Sequence, residues 1–207
     1  MKHTKELRFI GITGGIGAGK SEILKYIKKH YKCEIWLADE VAHLVKRRGT
    51  VCYKALVELL GEDVIGADGE IDKAKMADKI FADEAVLEQV NALVHPAVQD
   101  FILEKLKAAR ENPDVELFFV EAALLIEAGY GDLVDEMWYI YAEKEVRRAR
   151  LKASRGYSDA KITSIMLQQL SEERFRLACD FVIDNSGLLA DSYRQIEKKL
   201  EAFTWLE

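Results

Sequence analysis

The chain has 207 residues, of which 49% are hydrophobic and 32% charged, and a formal net charge of −6 at pH 7. This length and balance suit a globular domain, or a core domain with an insertion; two prolines and no low-complexity segment exclude long disordered linkers. The acidic balance argues against a broad nucleic-acid surface, and no apolar run reaches membrane-spanning length, so no nucleic acid or membrane partner is expected. Met1–Glu6 is charged and lacks the apolar core of a signal peptide. Cys33, Cys52 and Cys179 are odd in number and lack metal-type spacing, which suggests reduced structural thiols. A cytoplasmic, monomeric protein acting on a small molecule is expected.

In chain order, the apolar run Phe9–Ile12 predicts a first strand. Gly14-Gly15-Ile16-Gly17-Ala18-Gly19-Lys20-Ser21 follows, fitting the phosphate-loop pattern G-x-x-x-x-G-K-[ST]. Ser21 to Lys29 then reads as a helix with Ile23, Leu24 and Ile27 on one side. Further strands are predicted at Ile35–Leu37, Leu117–Val120, Met137–Tyr141 and Phe181–Ile183. Residues 49–112 look helical, with Val98, Phe101, Ile102 and Leu106 in one stripe, and residues 143–176 form a second helical, arginine-rich interval. Leu189, Tyr193, Ile196, Leu200 and Phe203 share a face of the last helix. Alternating strands and helices imply an α/β three-layer fold with a five-stranded parallel sheet, whose strand C-terminal ends form the ligand-binding rim. The core would comprise 1–48, 113–142 and 177–207, with 49–112 a helical insertion and 143–176 a helical lid.

The motif assigns chemistry to its residues. Gly15, Gly17, Ala18 and Gly19 would bring backbone N–H groups close to phosphates at a positive helix end. Lys20 would neutralise β- and γ-phosphate oxygens, and the Ser21 hydroxyl would ligate Mg²⁺. Glu121, ending the third strand, either touches Mg²⁺ or pairs with a basic side chain. Asp39, directly after the second strand, either caps a helix or orients an acceptor hydroxyl. Arg147, Arg148, Arg150 and Arg155 crowd one segment, where their planar forks suit phosphate unless they merely face water. His95-Pro96 either starts a helix or lines the acceptor site, and Asn185 either forms a turn or lies near a nucleotide base. By itself the loop suits a GTPase, a transporter ATPase, a nucleotide-binding switch or a small-molecule kinase.

Taken together and in order, several segments resemble the dephospho-CoA kinase family across nearly the whole chain. They are Ile10 to Ser21, Ala38-Asp39 with Val41-Ala42-His43, Leu60-Gly61, Gly69-Glu70-Ile71-Asp72, Val94-His95-Pro96, Leu124 to Glu127, Arg150-Leu151 with Arg155, Gln168, and Asp180 to Gly187. The resemblance implies a nucleoside-monophosphate-kinase-like P-loop enzyme that moves the γ-phosphate of ATP, with Mg²⁺, to the ribose 3′-hydroxyl of dephospho-CoA. It implies Lys20, Asp39 and Arg150 as catalytic. ATP would be held by the loop with Glu22, Arg155 and Asn185, and the helical acceptor-binding insertion 49–112 would receive the acceptor, with His95 on that side. The chain departs from the family pattern at Glu22, which is expected to point outward, and at Leu37, Lys73, Ala123 and Ser164.

Overall fold

The computed structural model describes residues 7–204, the side chains of 203 and 204 excepted; the readings of Met1–Glu6 and of Phe203 therefore lie outside the described residues. Strand β1 (Arg8–Thr13) is nearly all buried, as a strand covered on both faces must be. It enters the glycine-rich turn and helix α1 (Lys20–His30), which buries Ile23, Leu24 and Ile27. Glu22 in its first turn and Lys28, Lys29 and His30 in its last complement the helix dipole. After β2 (Cys33–Leu37) come α2 (Ala38–Val45), α3 (Val51–Leu60), α4 (Lys73–Ala82) and α5 (Glu84–Glu111). The chain then returns to β3 (Leu117–Glu121) and β4 (Glu136–Tyr141), passes through α6 (Lys144–Arg155), α7 (Asp159–Leu167) and α8 (Glu172–Ala178), and closes with β5 (Phe181–Asp184) and α9 (Leu189–Thr204).

The five strands form one parallel sheet in the order β2-β3-β1-β4-β5. Each coincides with an expected apolar run. Because the chain winds outward on both sides of β1, the crevice at the C-terminal end of β1 receives the glycine-rich turn, where α/β sheets bind ligands. The sheet is packed by edge-to-face aromatic pairs, Phe9 with Phe118 and Phe119 with the fully buried Trp138. Phe175 of α8 stacks on Tyr139 of β4 with ring centroids 4.7 Å apart. Cys33, Cys52 and Cys179 carry no disulfide, and no helix among the described residues is long and apolar enough to cross a membrane.

The chain divides into two compact units, one made of the residues up to Ile35 and from Asn112 onward, the other of Trp36–Glu111. In the second, α2, α3 and α4 pack on α5, which buries Val90, Val94, Val98, Ile102 and Leu106 along one stripe. This unit begins before residue 49, the boundary expected from sequence, because Val41 and Val45 of α2 are buried there. A helix start at His95-Pro96 is not what forms: α5 continues straight through Pro96. Both Pro96 and Ala92, whose carbonyl loses its donor, lie on the exposed side, where water can satisfy that carbonyl. A single antiparallel bridge, Ile65 to Ile71, interrupts an otherwise helical interval.

Candidate functional site

The loop takes its shape from backbone conformations that only glycine adopts easily. Gly14 has φ 151°, and a Cβ there would lie 2.5 Å from the Ile140 carbonyl oxygen of the adjacent strand β4. Gly19 caps α1 in the left-handed conformation, at φ 92°. The largely covered Lys20 crosses the loop: its Nζ donates to the Gly14 carbonyl at 2.8 Å and lies 3.5 Å from Glu121 Oε1 at the end of β3. Motif lysine and strand-end carboxylate are thus brought together, and the basic partner considered for Glu121 is Lys20. Ser21 and Glu22 are exposed in the first turn of α1. Glu22 points outward to Lys25 Nζ at 2.7 Å, as expected, in a solvated pair of little energetic weight.

Helix α6 supplies the basic side of the loop. Arg147 and Arg150, three residues apart and so on one helix face, both bond loop carbonyls. Arg147 Nε donates to Ile16 O at 2.9 Å and its Nη2 to Gln169 Oε1 at 2.9 Å. The same Gln169 oxygen accepts the Ile16 amide at 3.0 Å. Burial makes the Arg147 charge more costly and lowers its pKa. Arg150 donates to Ala18 O at 3.3 Å and to Asn185 O at 2.8 Å. Arg148 instead joins α6 to α7 through Asp159 and Thr163. Arg155 is exposed at the end of α6, with its guanidinium 5.9 Å from the Tyr157 ring centroid, and is not one of the arginines bonded to the loop.

Asn185, read from the sequence as a turn residue or as one near a nucleotide base, has its side chain turned into the protein. It is 1% exposed. Its Nδ2 donates to Ala18 O at 2.8 Å and its Oδ1 accepts from Ser192 Oγ at 2.9 Å. The amide is spent on holding the loop from beneath. Gly15, Gly17 and Ala18 make up the span that Arg147, Arg150 and Asn185 brace, with Ala18 buried. Sequence reasoning missed Gln169 as a loop partner, having singled out its neighbour Gln168, which is exposed. The spacing of Arg147 and Arg150 on one helix was a usable signal; Gln169 had none, because its partner is 153 residues away.

Two expected site residues belong to the helical unit. Asp39 lies in the first turn of α2, exposed; the N-cap is Leu37 and no side chain caps the helix, so capping is not the role of Asp39. At the other end of α2 the half-buried Lys46 has its pKa lowered, first by burial, with Lys73 adding to the effect while Cys52 and Asp39 oppose it. Lys46, His43, Glu70, Ile71, Lys73 and Met76 line a cavity of about 220 Å³. His95 is exposed on α5.

The dephospho-CoA kinase family model matches residues 8–191. The chain is 33% identical over 200 residues to the dephospho-CoA kinase of Carboxydothermus hydrogenoformans, with 96% of each covered. It is 34% identical over 194 residues to that of Streptococcus pyogenes serotype M1, covering 92% of this chain and 95% of the relative. A crystal structure of a Thermus thermophilus protein superposes with a TM-score of 0.78 at 30% identity, covering 96% of this chain and 98% of that one. A phosphate loop at the crevice of a parallel sheet, with lysine, carboxylate and arginines gathered on it, agrees with that match, and the chain belongs to the dephospho-CoA kinase family.

Proposed function

We propose that this chain phosphorylates dephospho-CoA with ATP, carrying the γ-phosphate to the ribose 3′-hydroxyl and giving CoA, the last step of CoA biosynthesis. The observation that carries the phosphate half is Lys20, held between the Gly14 carbonyl and Glu121 at the end of β3. A triphosphate offers that ammonium stronger acceptors, and the glycine-rich backbone offers the triphosphate N–H donors. The acceptor half is supported by the family match over residues 8–191.

Phosphoryl transfer is mostly positioning and electrostatic stabilisation. Asp39 orients the acceptor hydroxyl and takes its proton; the carboxylate is exposed and not spent on a cap. Arg150 and Arg155 belong to the lid, residues 143–176, which closes over ATP and keeps out the water that would turn transfer into hydrolysis. The helical segment 49–112 receives dephospho-CoA, with His95 on the acceptor side. The residues present fit Mg²⁺. Ser21 and Glu121 offer hard oxygen donors, and no group of three or more His, Cys, Asp or Glu that could hold a metal occurs among the described residues. A few protein oxygens are what an ion needs that keeps several waters and takes phosphate oxygens. When bound, it would neutralise charge on the β- and γ-phosphates. The setting is cytoplasmic.

The test is product analysis with Mg-ATP and, in parallel, dephospho-CoA and several nucleoside monophosphates. Chromatography with mass detection should find CoA as the favoured product. Transfer to a nucleotide instead, or nucleotide binding without transfer to anything, would refute the proposal.

A further inference from the structure

We propose that Arg147 and Gln169 are positioning residues for nucleotide binding, and that Gly15 must be glycine because of Arg147 rather than because of phosphate. The proposal rests on the reading of the loop as an ATP site. Ile16 is held at both of its backbone polar groups by residues far along the chain. Its carbonyl accepts from Arg147 Nε at 2.9 Å, and its amide donates to Gln169 Oε1 at 3.0 Å. Gln169 Oε1 also accepts from Arg147 Nη2 at 2.9 Å, which closes a ring through one residue's backbone, a guanidinium and a side-chain amide. Moving either side chain out of this ring breaks two bonds. Arg147 lies in α6 and Gln169 just after α7, so the ring also ties the loop to two parts of the proposed lid.

Gly15 supplies the independent observation. Unlike Gly14, Gly17 and Gly19, it does not have positive φ, so its backbone conformation does not require glycine. A Cβ there would meet Arg147, at 2.3 Å from Nη2 and 2.6 Å from Cζ. The guanidinium lies against the bare Cα. An alanine at 15 would therefore push Arg147 away and undo the ring from the opposite side. Gln169 suits its place because one carbonyl oxygen can accept two converging donors; a glutamate could do the same, an alanine could not.

The test is steady-state kinetics with each substrate varied, for Gln169→Ala, Gln169→Glu, Arg147→Ala, Gly15→Ala and the Gly15→Ala/Arg147→Ala double variant. Losing one charge-assisted and one neutral hydrogen bond should raise the ATP KM of Gln169→Ala about tenfold, with the dephospho-CoA KM within about twofold of the parent. Gln169→Glu should stay within about threefold of the parent, because the acceptor is kept. Gly15→Ala should cost about as much as Arg147→Ala and add less than about twofold once Arg147 is gone. An unchanged ATP KM in Gln169→Ala would overturn the proposal, as would damage in Gln169→Glu equal to that in Gln169→Ala. Independent, multiplying costs at 15 and 147 would overturn the part concerning Gly15. Thermal melts separate these effects from unfolding, and the ATP KM of Arg147→Ala serves if Gln169→Ala does not fold, since that variant also removes two bonds of the ring. Binding of a fluorescent ATP analogue without acceptor reads the same contacts even if dephospho-CoA is not the acceptor, so failure of the functional reading and failure of this one are distinguishable.

Discussion

Replacing Asn185 with leucine would measure what one buried amide contributes to the phosphate loop. Leucine keeps the branched outline of asparagine but carries bulkier methyl groups, so the loss is two hydrogen-bond contacts, Nδ2 to Ala18 O at 2.8 Å and Ser192 Oγ to Oδ1 at 2.9 Å, with overpacking added. Neither abandoned partner is left alone. Ala18 O keeps Arg150 Nη1 at 3.3 Å, and the Ser192 hydroxyl, whose one proton is shared between Asn185 Oδ1 and the Asp184 carbonyl, turns to that carbonyl at 3.0 Å. The expected loss is therefore about 2 kcal/mol, from one full and one shared hydrogen bond together with the overpacking, instead of the larger penalty for two orphaned buried groups. For a chain of this size that lowers Tm by about 4–8 °C. Urea unfolding followed by circular dichroism should show a lower midpoint at unchanged m value. The ATP KM should rise as well, because Ala18 is part of the loop. A loss below about 0.5 kcal/mol, or above about 4 kcal/mol, would refute this accounting of partners. An unchanged ATP KM would refute the role of Asn185 in supporting the loop.

Gly14→Ala should cost more than about 3 kcal/mol, because its Cβ would meet a strand carbonyl oxygen that cannot swing aside. Gly131→Ala, where a Cβ meets nothing within 4 Å, should change stability by less than about 1 kcal/mol; similar melting temperatures for the two variants would refute the steric argument. Asp39→Asn should lower kcat by about 10²–10⁴ while the melting temperature stays near the parent's, since the carboxylate is exposed and makes no cap bond; an undiminished rate would remove Asp39 from the mechanism. Burial pushes the thiol pKa from 9.0 up to about 11 at Cys33 and about 12 at Cys179. The neutral thiol is therefore the form the fold favours. This contribution to stability is fully present below pH 9 and is lost as pH rises toward the folded-state values. Iodoacetamide at pH 8 should label both thiols far more slowly in the native protein than in urea, as read by peptide mass spectrometry; equal rates would contradict the burial.

The five strands were legible because a parallel strand covered on both faces reads as an unbroken apolar run, and Phe9–Ile12 and Met137–Tyr141 are such runs. Lys20 and Glu121 were each legible as rim residues because a loop motif and a strand end both follow from local order, whereas their pairing at 3.5 Å was not. Of the two readings of His95-Pro96 the helix start fails, because local rules count a missing N–H as a helix boundary, whereas the exposed setting of Pro96 lets the helix continue. The early start of the helical unit was hidden in the same way, since only packing on α5 assigns α2 to it.

By itself, then, the sequence determined the α/β class, the strand positions, the phosphate loop and the family, because hydrophobic period and glycine sterics act between near neighbours. Only the tertiary structure decided which side chains hold that loop. Arg147, Gln169 and Asn185 reach it across 131, 153 and 167 positions of chain. What brings them there is the strand order, which sets β4 beside β1 and β5 beside β4, so that the segments following β4 and β5 meet the turn that follows β1.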